Sequence, residues 1–399
     1  LGVGHYYHNQ GLNNAMDGII ELSPSFKSKV SLSNPSTWHN LKFTFLSLSY
    51  GGNENSINKS SISNGYSSIS NAIWVVPIKS MSSFGMSLSP YADQRITLVD
   101  QDTSIFQVFD TTYNYTRSFD RSGGILSFKI GTSYKVNKNI AFGYYYGILF
   151  GSSRKHESIY FDGSAIIQSG RIRYNGILND IFLTLSISED IKVFSQYTHT
   201  VKPLEGALEQ KHLFDDLNGN GYHDYSPPYY DFPYPDSVEA FTEIRIKDLH
   251  APTGYKLGIS KMINSASALA LELGSSRDNS KNISVLSTPI NNWIYETNSM
   301  KTSFSHYPND LSLRFFDKFS FRTGIVYYEH SLKNDQSSIT EIGYSLGLGF
   351  KFKPVGNQID INYYIGNREH TGIEQKELIQ QIQLGVSLAD IWFVKRRQK

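Results

Sequence analysis

The chain has 399 residues, with 37 basic and 36 acidic side chains and a net charge of +1. That balance argues against a nucleic-acid binder, which carries a basic excess, and no stretch of roughly 18 or more apolar residues supplies a transmembrane helix. Aromatic residues make up 14%, with 27 Tyr and 24 Phe, and Tyr favours the boundary between lipid and water. Cysteine is absent, whereas small secreted domains stapled by disulfides hold many. The chain starts at Leu1 without a charged-then-apolar leader, which predicts a mature envelope protein whose signal peptide has been removed.

Residues 1–41 are rich in Gly, Asn and Ser and include "GLNNAMDGII" and "LSNPSTW". They precede the first strand pattern and are read as a plug folded into the lumen of a barrel built from the later residues. From residue 42 onward, large apolar side chains alternate with small or polar ones. The clearest case is "IGYSLGLGFKF" at 342–352, where Ile342, Tyr344, Leu346, Leu348, Phe350 and Phe352 alternate with Gly343, Ser345, Gly347, Gly349 and Lys351. Side chains of a strand point alternately to opposite faces. One face is therefore greasy and the other nearly bare, which suits lipid outside and a lumen inside, where the missing side chains leave room for a filling. The pattern predicts strands at 42–50, 71–79, 82–99, 123–134, 139–151, 172–187, 191–201, 251–262, 266–276, 298–307, 319–330, 340–352, 357–366 and 377–393. That is an even number, as single-chain bacterial barrels require. The fold expected is all-β: a transmembrane antiparallel β-barrel of about 14 strands over 42–394. Connections alternate between short turns and long loops (51–70, 100–122, 152–171, 202–250, 277–297, 331–339, 367–376), as periplasmic turns and extracellular loops do. Both termini then lie in the periplasm, including the basic tail "KRRQK" at 395–399.

Two prolines interrupt the wall. Pro90 sits in the third predicted strand and Pro77 in the second. Proline lacks a ladder donor and belongs at edges or bulges, so both mark a local weakness. The insertion 202–250 is acidic, with ten Asp/Glu and three Lys/Arg between Glu205 and Asp248. Within it, "DDLNGNGYHD" places Asp216, Asn218, Asn220 and Asp224 at positions 1, 3, 5 and 9 of a calcium loop. Gly221 provides the turn and Tyr222 a backbone carbonyl. Position 12 is Pro227 rather than Glu, so either a bidentate ligand comes from Asp231 or Asp236, or the site is weak. No G-x-S-x-G or H-E-x-x-H is present and the His are scattered, so no enzyme and no catalytic residue is expected.

These residues resemble the FadL-like outer-membrane transport family, channels for fatty acids and other hydrophobic compounds, in a divergent Bacteroidetes-type form. The likeness rests on "AMDGI" with "NPS" at Asn34, Pro35 and Ser36 (Ser36 replacing the usual Ala), "GMSLSPYADQ" (85–94), 122–151 and 366–397. The resemblance implies a fourteen-strand barrel with an N-terminal hatch, here including Met16, Gly18, Asn34, Pro35 and Ser36. It also implies passive uptake of small hydrophobic molecules from the outside, with lateral release to membrane lipid at a kinked third strand, where Pro90 lies, with Pro77 in the neighbouring second strand. The alternative is a binding or assembly partner, secretion-associated, that acts on another protein through its extracellular loops, above all 202–250.

Overall fold

The structure, a computed structural model, describes residues 12, 14–25, 29–57, 63–79, 81–99, 104–108, 111–161, 164–210, 214–215, 217–218, 224–232, 243–281, 294–309, 312, 314–333, 338–353, 357–371 and 376–390. The basic tail 395–399 and residues 1–11 lie outside them. The strands run β1 (Thr44–Ile57), β2 (Ser63–Lys79), β3 (Ser82–Asp93), β4 (Ile96–Val99), β5 (Ser104–Val108), β6 (Thr111–Lys135) and β7 (Ile140–Phe161). Next come β8 (Ser164–Ser186), β9 (Ile191–Gln210), the short pieces β10 (Phe214–Asp215), β11 (Tyr225–Ser226) and β12 (Tyr229–Tyr230), then β13 (Glu243–His250) and β14 (Pro252–Asn264). The wall finishes with β15 (Ser267–Asp278), β16 (Ile294–His306), β17 (Phe319–Leu332), β18 (Ser338–Lys353), β19 (Asn357–His370) and β20 (Lys376–Asp390).

The sheet is antiparallel and closes on itself. β1 pairs with β20 along its whole length, from Thr44↔Asp390 to Ile57↔Glu377. β3, β4 and β5 share one wall position because all three pair with β6. β13 and β14 share another, on β9. The wall therefore has fourteen positions, as the alternation predicts. Closure removes the edges that an open sheet would expose.

Several segments expected as loops are strand. β6 begins at Thr111, β7 runs to Phe161 and β8 resumes at Ser164, so 100–122 and 152–171 are largely ladder. β9 and β13 likewise carry part of 202–250 into the sheet. The cause is physical. Beyond the bilayer no lipid selects apolar side chains, so the alternation fades while the backbone ladder continues.

Outward side chains of the wall are apolar and open, such as Leu346 and Leu348 at 55% and 58% exposure, while inward ones are buried. The inward glycines of β18 do not face the N-terminal segment directly. A Cβ on Gly343 would strike Tyr364, one on Gly347 Asn362, and one on Gly349 Ser320 and Asp360. The bare strip is filled by large inward side chains of β17 and β19. These in turn hold the N-terminal segment, since Asn362 and Arg322 both donate to the Ala15 carbonyl.

That segment packs against inward faces around the wall. Asn14 Oδ1 accepts the Met16 and Asp17 N–H groups at 2.8 and 2.7 Å, and Gly18 closes the turn at φ 68°, a backbone state that favours glycine. Asn34 caps a 3-10 turn at Pro35–Asn40, with Pro at its start. Glycine makes room for this turn: a Cβ on Gly85 or Gly131 would come within 2.7 or 3.0 Å of the Trp38 ring, and one on Gly143 would enter the Ser36 backbone. Ser36 Oγ and Thr184 Oγ1 of β8 are 2.6 Å apart, and Ser83 of β3 donates to the Trp38 carbonyl at 3.1 Å.

Candidate functional site: a charged cavity at the seam between two strands

β2 and β3 pair only from Ala72↔Leu88 to Lys79↔Ser82. Beyond that point, among the described residues, β2 pairs with β1 alone and β3 with β6 alone. Both prolines sit at register shifts. Pro77 lies at the one between Pro77 and Lys79, and Pro90 at the one between Pro90 and Ala92, which leaves Tyr91 as the extra residue. Proline has no N–H for a neighbouring strand, so a bulge is where the ladder accepts it.

A cavity of about 270 Å³ reaches from this seam across the lumen to β14–β17, with Ser89, Pro90 and Tyr91 at one end and Lys256, Lys301 and Tyr328 at the other. A second cavity of about 160 Å³ shares Glu21, Ser89, Pro90, Lys129 and Gln196 with it and extends to Ser70, Asn71 and Ile73 of β2. The two together lie beside the parted strands.

Most of the lining residues are polar or charged, with apolar surface between them. Glu21 of the N-terminal segment receives Lys256 of β14 and, at 2.8 Å, Lys301 of β16. Glu272 of β15 accepts the Glu21 and Leu22 backbone N–H groups at 3.1 and 2.9 Å and stands 3.6 Å from Lys301. Opposite, Asp180 of β8 takes Lys129 of β6 at 2.8 Å and Thr198 of β9 at 2.6 Å. Three lysines thus meet three carboxylates. Lys129 and Lys256 retain 27% and 29% side-chain exposure, so part of each remains open to the cavity.

Beside the cavity, the Tyr91 hydroxyl and His250 Nε2 share a hydrogen bond at 2.7 Å, and His250 Nδ1 donates to Asp278 Oδ2 at 2.8 Å. Asp278 Oδ1 also accepts the Ala251 and Ser280 N–H groups, at 2.9 and 3.0 Å. The carboxylate accepts only, so Nδ1 carries a ring proton. This chain ties the bulge of β3 to the β13–β15 side of the barrel.

Of the residues singled out in the sequence, Pro90 lines both cavities, Pro77 lies near the β2–β3 turn opposite Ser83, and Met16, Gly18, Asn34, Pro35 and Ser36 belong to the N-terminal segment packed on the inner faces. The calcium loop is placed in part, because Asp216, Asn220 and Tyr222 lie outside the described residues. Asn218 Nδ2 donates to Asp224 Oδ2 at 2.6 Å. Asp231 is buried and accepts the Leu217 and Asp224 N–H groups at 3.1 and 2.7 Å. Among the described residues no group of three or more His, Asp or Glu could hold a metal ion. Sequence reasoning missed Glu21, Lys301 and the Tyr91–His250–Asp278 chain. Lys256 and Glu272 fall on inward positions of a clear alternation, and a charge on an inward face was the available signal.

Compared with known proteins, the chain matches the family model described as BamG over residues 1–399. That is a different family name from the FadL-like one suggested by the motifs. Among solved structures it resembles one described as the CymD monoaromatic hydrocarbon channel, with TM-score 0.61 and 13% identity over 96% of this chain and 99% of that chain. A Pseudomonas aeruginosa FadL homologue aligns at TM-score 0.59 and 13% identity, covering 96% and 98%. The Pseudomonas putida toluene transporter TodX aligns at 0.53 and 12%, covering 91% and 94%. At these identities the likeness is one of fold. No curated protein matches the chain.

Proposed function

The chain belongs to the BamG family, and from that premise we propose that it is an outer-membrane channel for small hydrophobic molecules that carry a polar head. The observation that carries the reading is the parting of β2 from β3 beside the cavity at Pro90. A tail can leave through the parted strands into lipid, because hydrocarbon surface gains about 25 cal/mol per Å² on leaving water. The head, a carboxylate in the case of a fatty acid, would rest among the serines and the open faces of Lys129 and Lys256. The fold neighbours described as hydrocarbon or toluene channels lend the reading support by analogy of architecture. In this reading residues 1–41 act as the plug, the strand extensions face the outside, both termini are periplasmic, and the protein is a transporter rather than an enzyme.

The test is release. With no native cysteine, Ser70→Cys and Ser89→Cys place the only two thiols on either side of the seam, and a bifunctional thiol reagent joins them. Uptake of a fluorescent fatty acid into proteoliposomes should stop on cross-linking and return when a cleavable linker is cut. Equal uptake by clamped, unclamped and protein-free vesicles would sink the proposal.

A second reading has its own observation. Glu21 of the N-terminal segment pairs with Lys256 and Lys301 of the wall, and Arg322, itself paired with Asp360, donates to the Ala15 carbonyl, ties that suit a sealed barrel serving as a partner for another protein through its outer loops. A stable protein partner that co-purifies, and is lost when 205–248 is deleted, would favour it. Calcium in 216–224 belongs to either reading, as a clamp on the acidic loop. Terbium luminescence sensitised by the neighbouring tyrosines, displaced by calcium and lost in Asp216→Ala, is the outcome expected.

A further inference from the structure

Cross-strand partners share a face, and like charges directly opposite repel. The tall strands β6–β9 and β13 contain three such pairs. Arg121↔Lys155 lies on the inner face and is relieved within the protein: Arg121 donates to the Tyr174 hydroxyl at 2.8 Å, and Lys155 stands 3.6 Å from Glu157. Glu209↔Glu243 is bridged by Arg173, and Arg245 adds a second contact to Glu243 at 3.1 Å. The third pair, Arg154↔Arg171, is on the outer face and exposed on both sides; Glu209 of β9 stands opposite Arg171, but its ion pair is with Arg173, so no carboxylate among the described residues pairs with either arginine. Asp120, one row further out, makes no ion pair with either arginine.

The height of this pair matters. Phe150, on the same face of β7, is the last apolar side chain of the lipid-facing row before Ser152 and Arg154. Four residues along a strand are about 13 Å, or about 10 Å in height after a strand tilt near 40°. Two guanidinium groups therefore stand side by side where the phosphates of a lipid headgroup lie. Their fork geometry suits bidentate contact with phosphate oxygens.

We infer that Arg154 and Arg171 form a docking site on the barrel's outer wall for a phosphorylated outer-leaflet glycolipid, with its phosphate bridging the two arginines. The inference rests on the reading that this end of the barrel faces outward. Native mass spectrometry of the full chain in detergent, titrated with bisphosphorylated lipid A, lipid A stripped of phosphate, phosphatidylglycerol or inorganic phosphate, reads the occupancy directly. The double variant Arg154→Gln/Arg171→Gln should bind bisphosphorylated lipid A about tenfold or more weakly than the parent chain. The stripped lipid should bind both equally weakly. Thermal unfolding supplies a fold control: without lipid the variant should melt no lower than the parent, since a repulsion is gone, and only the parent should gain stability on adding lipid A. Equal retention of lipid A by both proteins overturns the site. Equal protection by inorganic phosphate would make it a free-phosphate site and overturn the lipid assignment. A preference for phosphatidylglycerol over lipid A would overturn the outer-leaflet assignment while leaving the seam and its transport test untouched.

Discussion

Two stretches of the same wall behave differently. β17 and β18 pair over thirteen consecutive positions, from Phe319↔Phe350 to Ser331↔Ser338. β2 and β3 pair at seven and then part. β18 and β3 both alternate large apolar with small or polar residues, while β2 is an unbroken apolar run from Ala72 to Ile78, so alternation in β3 does not by itself keep it paired. The continuous stretch has no proline, and its inner face is stitched by buried charge: Arg368 with Glu341 and Glu377 at 2.8 and 3.0 Å, and Arg322 with Asp360. The shorter stretch has Pro77 near its turn, Pro90 just past its last pair at a bulge against β6, and serines on the inner face of β3. Pairing runs on where ladder and inner-face contacts agree, and between β2 and β3 it ends beside Pro90.

Breaking the continuous side should have the largest effect. Arg368→Ala strands two buried carboxylates, and loss of one partner of such a pair costs about 3–5 kcal/mol. Denaturant unfolding in detergent should show it, and a midpoint unchanged from the parent would show that water already reaches the triad. Next comes the fit between wall and N-terminal segment. Gly143→Val forces a side chain into the Ser36 backbone, and overpacking of this kind costs about 1–3 kcal/mol. Planar-bilayer conductance should rise as the segment is displaced, whereas a stable, non-conducting variant would mean that the turn at Pro35–Asn40 can shift.

Smaller changes sharpen the seam. Tyr91→Phe removes the hydroxyl bonded to a buried imidazole nitrogen and should cost about 1 kcal/mol, with uptake faster if the Tyr91–His250–Asp278 chain restrains β3. Pro90→Ala restores an N–H. It should stabilise the barrel by up to about 1 kcal/mol and slow fatty-acid uptake, and faster uptake would remove the seam from the mechanism. The smallest effect concerns pH. Burial, with Lys135 and Lys192 nearby, pushes His39 of the N-terminal segment down to about 4. The unfolded chain then binds the proton more readily, so stability is full above the unfolded value of about 6.5 and declines as pH falls toward 4. His39→Gln should flatten that decline in melting temperature.

The strand pattern was legible because lipid enforces it: an outward position in the bilayer admits apolar side chains, and the period of two appears at Leu346, Leu348 and Phe350. Pro90 and Pro77 were legible as breaks for an equally local reason, the missing donor. The extensions at 111–122 and 152–171 were not, because nothing outside the bilayer selects their side chains. The charged cavity was half legible. Lys256 and Glu272 can be placed on the inner face by counting, but their meeting with Glu21 needs a segment more than 230 residues away to lie beside them.

The sequence by itself determined the class of fold and the number of wall positions, since both follow from each strand's own alternation. The tertiary structure alone decided what fills the barrel and what meets across it. The glycines of β18 face side chains of β17 and β19, and Tyr91 finds His250 on the opposite wall. Register and closure bring those partners together, and both are properties of pairs of strands that no single strand encodes.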